Sequence, residues 1–207
     1  MTDVGPLPAH AYHLADAENW PSIQRVGLHC ATALIRQAGL RGAAARPFSF
    51  HRAVSPVLPS GVRLRDQSPM PPSALERCLD PGLTPADWYA LVNAHVYFWL
   101  DTDRLARHRA ACAKRPQIVV TLDLPGLLAR YRAHAFVTPF NVGNARRRPA
   151  SRGQRTFVPL DAWLATRWAS EARPGDKPRA RAHPPAELAI AGAMPDVMDF
   201  VVSQTAA

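Results

Sequence analysis

The sequence is nearly without lysine: 2 Lys stand against 23 Arg among its 207 residues. It also lacks the motifs that announce the commonest chemistries. No glycine-rich GxGxxG or GxxxxGK[ST] segment is present, so neither a dinucleotide-binding βαβ unit nor a P-loop is indicated. No GxSxG occurs, which argues against an α/β-hydrolase nucleophile elbow. No HExxH occurs, the eight His do not cluster at ligand spacing, and no metal is expected. The three cysteines, Cys30, Cys78 and Cys112, are odd in number and far apart, so they define neither a zinc knuckle nor a disulfide framework. They are expected as reduced thiols. No run of eighteen apolar residues exists, which excludes an apolar helical span, and the polar, proline-bearing opening MTDVGPLPAHAY has no signal-peptide core. These absences together point to a cytoplasmic protein with no membrane partner.

What is present is a chain of one-domain size with 47% hydrophobic residues and 21 prolines. A single domain over 1–207 is expected, with flexible tails at 1–9 and 203–207. The net charge of +9 is concentrated: residues 104–181 carry seventeen Lys/Arg against four Asp/Glu, while both flanks are slightly acidic. A basic segment of this kind fits a polyanionic partner, nucleic acid first among them. A GC-rich codon usage would also favour Arg, Ala and Pro, and offers a compositional account of the same bias.

Periodicity and punctuation predict a strand over 10–14, then a helix that follows Asn19-Trp20-Pro21 and stops at Gly27. A second helix follows over 30–40. Residues 41–72 read as loop with short extended pieces such as Val62–Arg65. Helices are predicted over 73–80 and 84–94, the latter with Thr84 as N-cap and Pro85 at its first position. The aromatic and β-branched run His95–Leu100 predicts a buried strand. A helix over about 103–114 follows, capped by Asp101 or Thr102, then a strand over Gln117–Leu122 and a helix over Leu124–Tyr131. Residues 138–156 read as a long basic loop. Phe157-Val158 is a short strand, about 160–169 a helix, 170–185 a polar loop, Ala186–Ala191 a strand, and Pro195–Val202 a closing strand or helix. Strands and helices do not alternate strictly, so the class is α+β.

Single residues then carry the chemistry. Glu187 stands inside an apolar strand, where an unpaired carboxylate costs several kcal/mol; a charge so placed points into a cleft or a pair. Tyr12-His13 ends the first strand, and Tyr97 sits mid-strand. The opening Tyr12-His13-Leu14-Ala15-Asp16-Ala17-Glu18-Asn19-Trp20-Pro21-Ser22-Ile23, followed by Gly27-Leu28, resembles the start of ADP-ribosyltransferase folds and is most similar to the DarT toxins that modify DNA bases. Val96-Tyr97-Phe98 resembles their second motif strand, and Ala186-Glu187-Leu188-Ala189-Ile190 with Met194-Pro195 resembles the late strand bearing the catalytic Glu. Arg65-Asp66-Gln67, Asn93–Trp99 and the segments Pro139-Phe140-Asn141, Arg152-Gly153 and Thr156-Phe157 resemble an uncharacterised bacterial family related to that fold.

The resemblance covers most of residues 10–202. It implies two packed, mainly antiparallel sheets with surrounding helices, and NAD⁺ as co-substrate without a metal. It implies Glu187 as catalytic carboxylate, His13 on a ribose hydroxyl, Asn19 on the NAD⁺ and Tyr97 against the nicotinamide ring. For the arginine serving the phosphates or the catalytic centre, Arg65 is the first candidate and Arg63 the second. The acceptor implied is a nucleic-acid base or end, with a basic acceptor loop at Arg173, Lys177, Arg179 and Arg181 and a contribution from Arg146, Arg147 and Arg148. A toxin role with an antitoxin or immunity partner follows by analogy. Two positions depart from the pattern: Ala15 replaces a Thr, and Pro185 stands where arginine-modifying toxins carry the first Glu of E-x-E. Transfer to a small molecule, an RNA 2′-phosphotransferase-like reaction, and a non-catalytic nucleic-acid-binding module are the alternatives.

Overall fold

The computed structural model describes residues 7–146, 150–171 and 184–206. Nine strands are placed: β1 (His10–Asp16), β2 (Leu28–His29), β3 (His95–Trp99), β4 (Gln117–Asp123), β5 (Ala135–Thr138), β6 (Val158–Pro159), β7 (Glu187–Ala191), β8 (Ala193–Met194) and β9 (Val201–Ala206). The helices are α1 (Trp20–Val26), α2 (Ala31–Gln37), α3 (Gly42–Ser49), α4 (Pro72–Leu75), α5 (Pro85–Asn93), α6 (Thr102–Cys112), α7 (Leu124–Tyr131) and α8 (Leu160–Thr166). The architecture is α+β, built on one antiparallel seven-stranded sheet of order β6-β5-β7-β3-β1-β4-β9 and a two-stranded β2-β8 ribbon. The resemblance implies two packed sheets; the structure has one large sheet and, beside it, only a ribbon of two two-residue strands.

Register explains how the sheet is covered. Successive residues of a strand face opposite sides. Ala11, Val96, Phe98, Val120, Leu122, Val137, Leu188 and Ile190 share one face and form the main core with Trp20, Leu28, α7 and α8. On the other face, Ala189, Tyr97 and Phe136 pack under α5 and the loop carrying Val142 and Phe157, while Leu14, Trp99 and Val119 pack under Leu105 of α6. Local signals set the helix starts. Thr84 and Asp87 close a capping box on α5, Asp101 accepts from the Arg104 N–H at 2.8 Å, and Asp123 accepts from the Gly126 N–H at 3.1 Å to start α7.

Three expectations are corrected. Within 41–72, read as loop, Gly42–Ser49 is a helix: the run Ala43-Ala44-Ala45 favours it, and Ala45 and Phe48 pack against buried Ile35, Leu58 and Leu64. The segment at 203–207 was expected as a tail, yet Val201–Ala206 is a strand paired along β4, because the β4 edge offers unpaired backbone groups that a neighbouring strand satisfies. At the other end, Leu7 is buried in the main core and the Ala9 carbonyl accepts from the Leu124 N–H, so residues 7–9 are tied down as well.

Gly27 joins two distant segments. It ends α1 with φ +82° and ψ −172°, a conformation almost confined to glycine. A Cβ built there would stand 2.2 Å from the Met194 carbonyl oxygen. The close approach lets Leu28 pair with Met194 in the ribbon, so the early Gly27-Leu28 and the late Met194-Pro195 segments meet in space. Gly27→Ala is expected to lower the unfolding free energy by about 3 kcal/mol through backbone strain and overlap, measured by urea denaturation; an unchanged midpoint would show that the ribbon does not need this contact.

Candidate active site

The site begins at a defect in the sheet. β1 pairs with β4 at seven positions but with β3 at one, Tyr12↔Trp99. Past that pair the seam is not a ladder, and side chains take up its carbonyls. His13 Nδ1 lies 2.9 Å from the Tyr97 carbonyl oxygen, and Arg65 Nη2 donates to the Leu14 carbonyl at 3.1 Å. A carbonyl only accepts, so His13 Nδ1 carries the hydrogen and Nε2 is left as an acceptor. Burial is the main cause that lowers the His13 pKa to about 4, the bond to Tyr97 opposes it and the Arg65 charge adds to it. His13 is therefore neutral at physiological pH.

A cavity of about 640 Å³ opens at this seam, a size typical of small-molecule sites (roughly 300–1,000 Å³). His13, Asn19, Arg63, Arg65, Tyr97 and Glu187 all line it. His13, Tyr97 and Glu187 come from β1, β3 and β7, which are neighbours in the sheet in the order β7-β3-β1. Register puts Tyr97 and Glu187 on one face, and His13 on the other with its ring 5.6 Å from Phe98. They can share one cavity because the seam between β3 and β1 is open.

Glu187 is the first residue of β7 and is 4% exposed. Its Oε2 accepts from the Thr138 hydroxyl at 3.1 Å and from the Val142 N–H at 3.0 Å. Burial raises its pKa from 4.5 to about 7; the two hydrogen bonds, then Arg104 and Arg152, hold it from rising further. Tyr97 is held by its hydroxyl donating to the Val92 carbonyl at 3.0 Å, and burial, then the Glu187 charge, push its pKa well above 10.

Arg63 and Arg65 are framework residues as well as lining. The Asn19 side chain clamps the Arg63 backbone twice: Nδ2 donates to the Arg63 carbonyl at 2.8 Å, and Oδ1 accepts from its N–H at 2.9 Å. Asn19, expected on the ligand, thus spends both ends of its amide on the protein. The Arg63 guanidinium pairs with Glu18 at 2.9 Å. Arg65 donates to Leu14, to Gln117 Oε1 at 2.9 Å and to Cys112 Sγ at 2.6 Å. Of the expected nucleic-acid-binding residues, Arg146 is exposed, off the cavity lining, and donates to the Ser68 carbonyl at 2.7 Å. Arg147, Arg148, Arg173, Lys177, Arg179 and Arg181 lie outside the described residues.

The sequence reading did not single out one wall. Arg104, Arg107, His108, Ala111 and Cys112 of α6 line the cavity, at the i, i+3, i+4, i+7, i+8 spacing of one helix face. That spacing was legible, but a face carrying Arg and His reads as solvated. Buried Arg52 is another lining residue; it donates to the carbonyls of Arg65 and Phe48 and to Asn93. Among the described residues, no group of three His, Cys, Asp or Glu could hold a metal ion, and no helix is long and apolar enough to cross a membrane. All three cysteines are free thiols.

An α+β protein with an open sheet seam, a buried carboxyl and a neutral histidine on one cavity is the class these observations define. Comparison with family models matches residues 9–201 to a family of unknown function (DUF7002). The chain belongs to that family. No curated protein matches it.

The raised Glu187 pKa has a consequence for stability. The folded state binds the carboxyl proton more tightly than the unfolded chain does, so the stabilising contribution is present below pH 4.5 and is lost as pH rises through about 7. Glu187→Gln removes the charge and keeps an acceptor for Thr138 and Val142. At pH 8 the variant is expected to be more stable than the native chain by up to about 3 kcal/mol, with the gap closing below pH 5. Parallel urea melts at both pH values measure this; a gap independent of pH would mean that Glu187 is not a desolvated acid.

Proposed function

We propose that this protein is an NAD⁺-dependent ADP-ribosyltransferase with Glu187 as catalytic carboxylate, acting on a nucleic-acid base or end. The observation that carries the reading is the convergence of His13, Tyr97 and Glu187 from three neighbouring strands on one cavity. Their identities and chain order are those of the resemblance to ADP-ribosyltransferases.

The chemistry suits each group. The bond between nicotinamide nitrogen and ribose C1′ breaks, its electron pair leaves with nicotinamide, and the acceptor attacks C1′ and gives up a proton. Positive charge develops at C1′ in between. A carboxylate held by Thr138 and the Val142 N–H cannot swing away, and it stabilises that charge without reorganising. The same group can take the acceptor's proton. His13, neutral with Nε2 free to accept, suits a ribose hydroxyl. The Tyr97 ring, pinned by Val92, offers an apolar surface to nicotinamide. The basic segment 104–181 supports a polyanionic acceptor.

Incubation with labelled NAD⁺ and separate pools of DNA, RNA and protein tests the reading. Label is expected on nucleic acid, and Glu187→Ala is expected to reduce the rate at least a hundredfold. Because the carboxylate is the working form, kcat/KM should climb with pH through about 7. NAD⁺ left intact with every pool, or turnover unaffected in Glu187→Ala, would refute the assignment.

A further inference from the structure

Five arginines line the cavity: Arg52, Arg63, Arg65, Arg104 and Arg107. Three are committed to the protein. Arg52 holds backbone carbonyls and Asn93, Arg63 pairs with Glu18, and Arg65 bridges Leu14, Gln117 and Cys112. Among the described residues, the guanidinium groups of Arg104 and Arg107 make no hydrogen bond and no ion pair. They stand one turn apart on the cavity face of α6, Arg104 half-buried and Arg107 exposed.

The carboxyls of the cavity do not answer them. Asp16 pairs with Arg115 at 3.1 Å and accepts from Gln117, Asp66 accepts from Ser55 and Ser68, and Glu187 is bound by Thr138 and Val142. His13 and His108 are both kept neutral, each with its pKa lowered to about 4 chiefly by burial. Five cationic side chains thus face three carboxyls, and the surplus sits on one helix face. Side chains at i, i+3 spacing lie on one helix face, and two unpaired guanidinium forks placed so can both donate to the oxygens of a phosphate group.

We infer that Arg104 and Arg107 form an anion subsite of the cavity that takes the diphosphate of a nucleotide ligand. The inference rests on the nucleotide reading above and changes its layout. The phosphates go to α6 and not to Arg63 or Arg65, whose guanidinium groups are occupied. Arg104 also acts on Glu187 through its charge, which favours the ionised carboxylate. A bound diphosphate would offset that influence, so ligand charge and Glu187 ionisation are coupled through this side chain.

The test is calorimetric titration of the full chain with inorganic pyrophosphate and with ADP. The native protein is expected to bind both, with affinity falling as salt rises. Arg104→Ala and Arg107→Ala should each weaken ADP about tenfold, with partial recovery in Arg104→Lys. Arg109→Ala, on an exposed position of α6 outside the cavity, should change nothing, and thermal melts check that every variant is folded. ADP affinity unchanged in the double Arg104→Ala/Arg107→Ala variant, or no binding of either anion to the native protein, would overturn the subsite. So would loss of single-stranded oligonucleotide binding in that variant with ADP binding intact, since the pair would then serve a polymer backbone. NAD⁺ turnover is measured separately with Glu187→Ala: ADP binding that depends on α6 without any NAD⁺ turnover keeps the subsite and sinks the transferase reading.

Discussion

The lone residue pair between β1 and β3 is the constraint on which the rest depends. A sheet that stays zipped has no room between its strands, and its two faces are separate compartments. Here the ladder stops at Tyr12↔Trp99, and the carbonyls of Leu14 and Tyr97 need other donors. An unpaired buried carbonyl costs about 1–3 kcal/mol, so the gap persists only because Arg65 and His13 supply them. Those side chains belong to the cavity for the same reason that they stabilise it. Arg65 in turn needs Gln117, and Gln117 braces Asp16. Much of the polar lining is therefore a device for keeping one seam open.

Glu187 depends on the seam in a different way. Its backbone is fully within the ladder, paired with Trp99 on one side and Thr138 on the other, so the carboxyl has little freedom. Its second donor comes from a loop. The Val142 N–H is in place because the 140–145 segment is pinned: Ala145 donates its N–H to the Pro69 carbonyl, Arg152 bonds the Asn144 carbonyl, and the Arg152 guanidinium lies 4.6 Å from the Phe140 ring centroid. Arg152 is 2% exposed and forms no ion pair among the described residues. Its charge stabilises a neighbouring carboxylate while its plane packs against aromatic rings. One buried cation thus serves loop geometry and site electrostatics together.

Much of this was legible in the residues. Tyr97 lies in a dense aromatic and β-branched run and Glu187 opens an apolar one, while Leu124–Tyr131 has its helix opened by a capping Asp and a proline. What was not legible has physical reasons. β5 is four residues long and buried on both faces, too short for alternation to register. α3 carries Pro47, begins with glycine and ends with serine, so its helical alanines are masked by loop composition. The clamp of Asn19 on Arg63 was not legible because a side-chain amide satisfies a distant backbone segment as well as it does a ligand, and only the fold brings Arg63 beside it. The α6 wall was passed over because arginine and histidine on a helix face signify solvent unless a cavity is known to face them.

The strand order bears on when the fold can form. Among the described residues β7 is the strand that joins the β5-β6 pair to the β3-β1-β4 group within the sheet, yet it comes after all five of them along the chain. A ribosome releasing residues from the N-terminus at roughly 5–20 per second would therefore expose two unjoined half-sheets, each with a bare inner edge, until residues 187–191 emerge. The strand that welds them begins with Glu187 itself, so the join of the sheet and its buried acid emerge together. The buried carboxyl and the closure of the sheet therefore arrive at the same moment of translation.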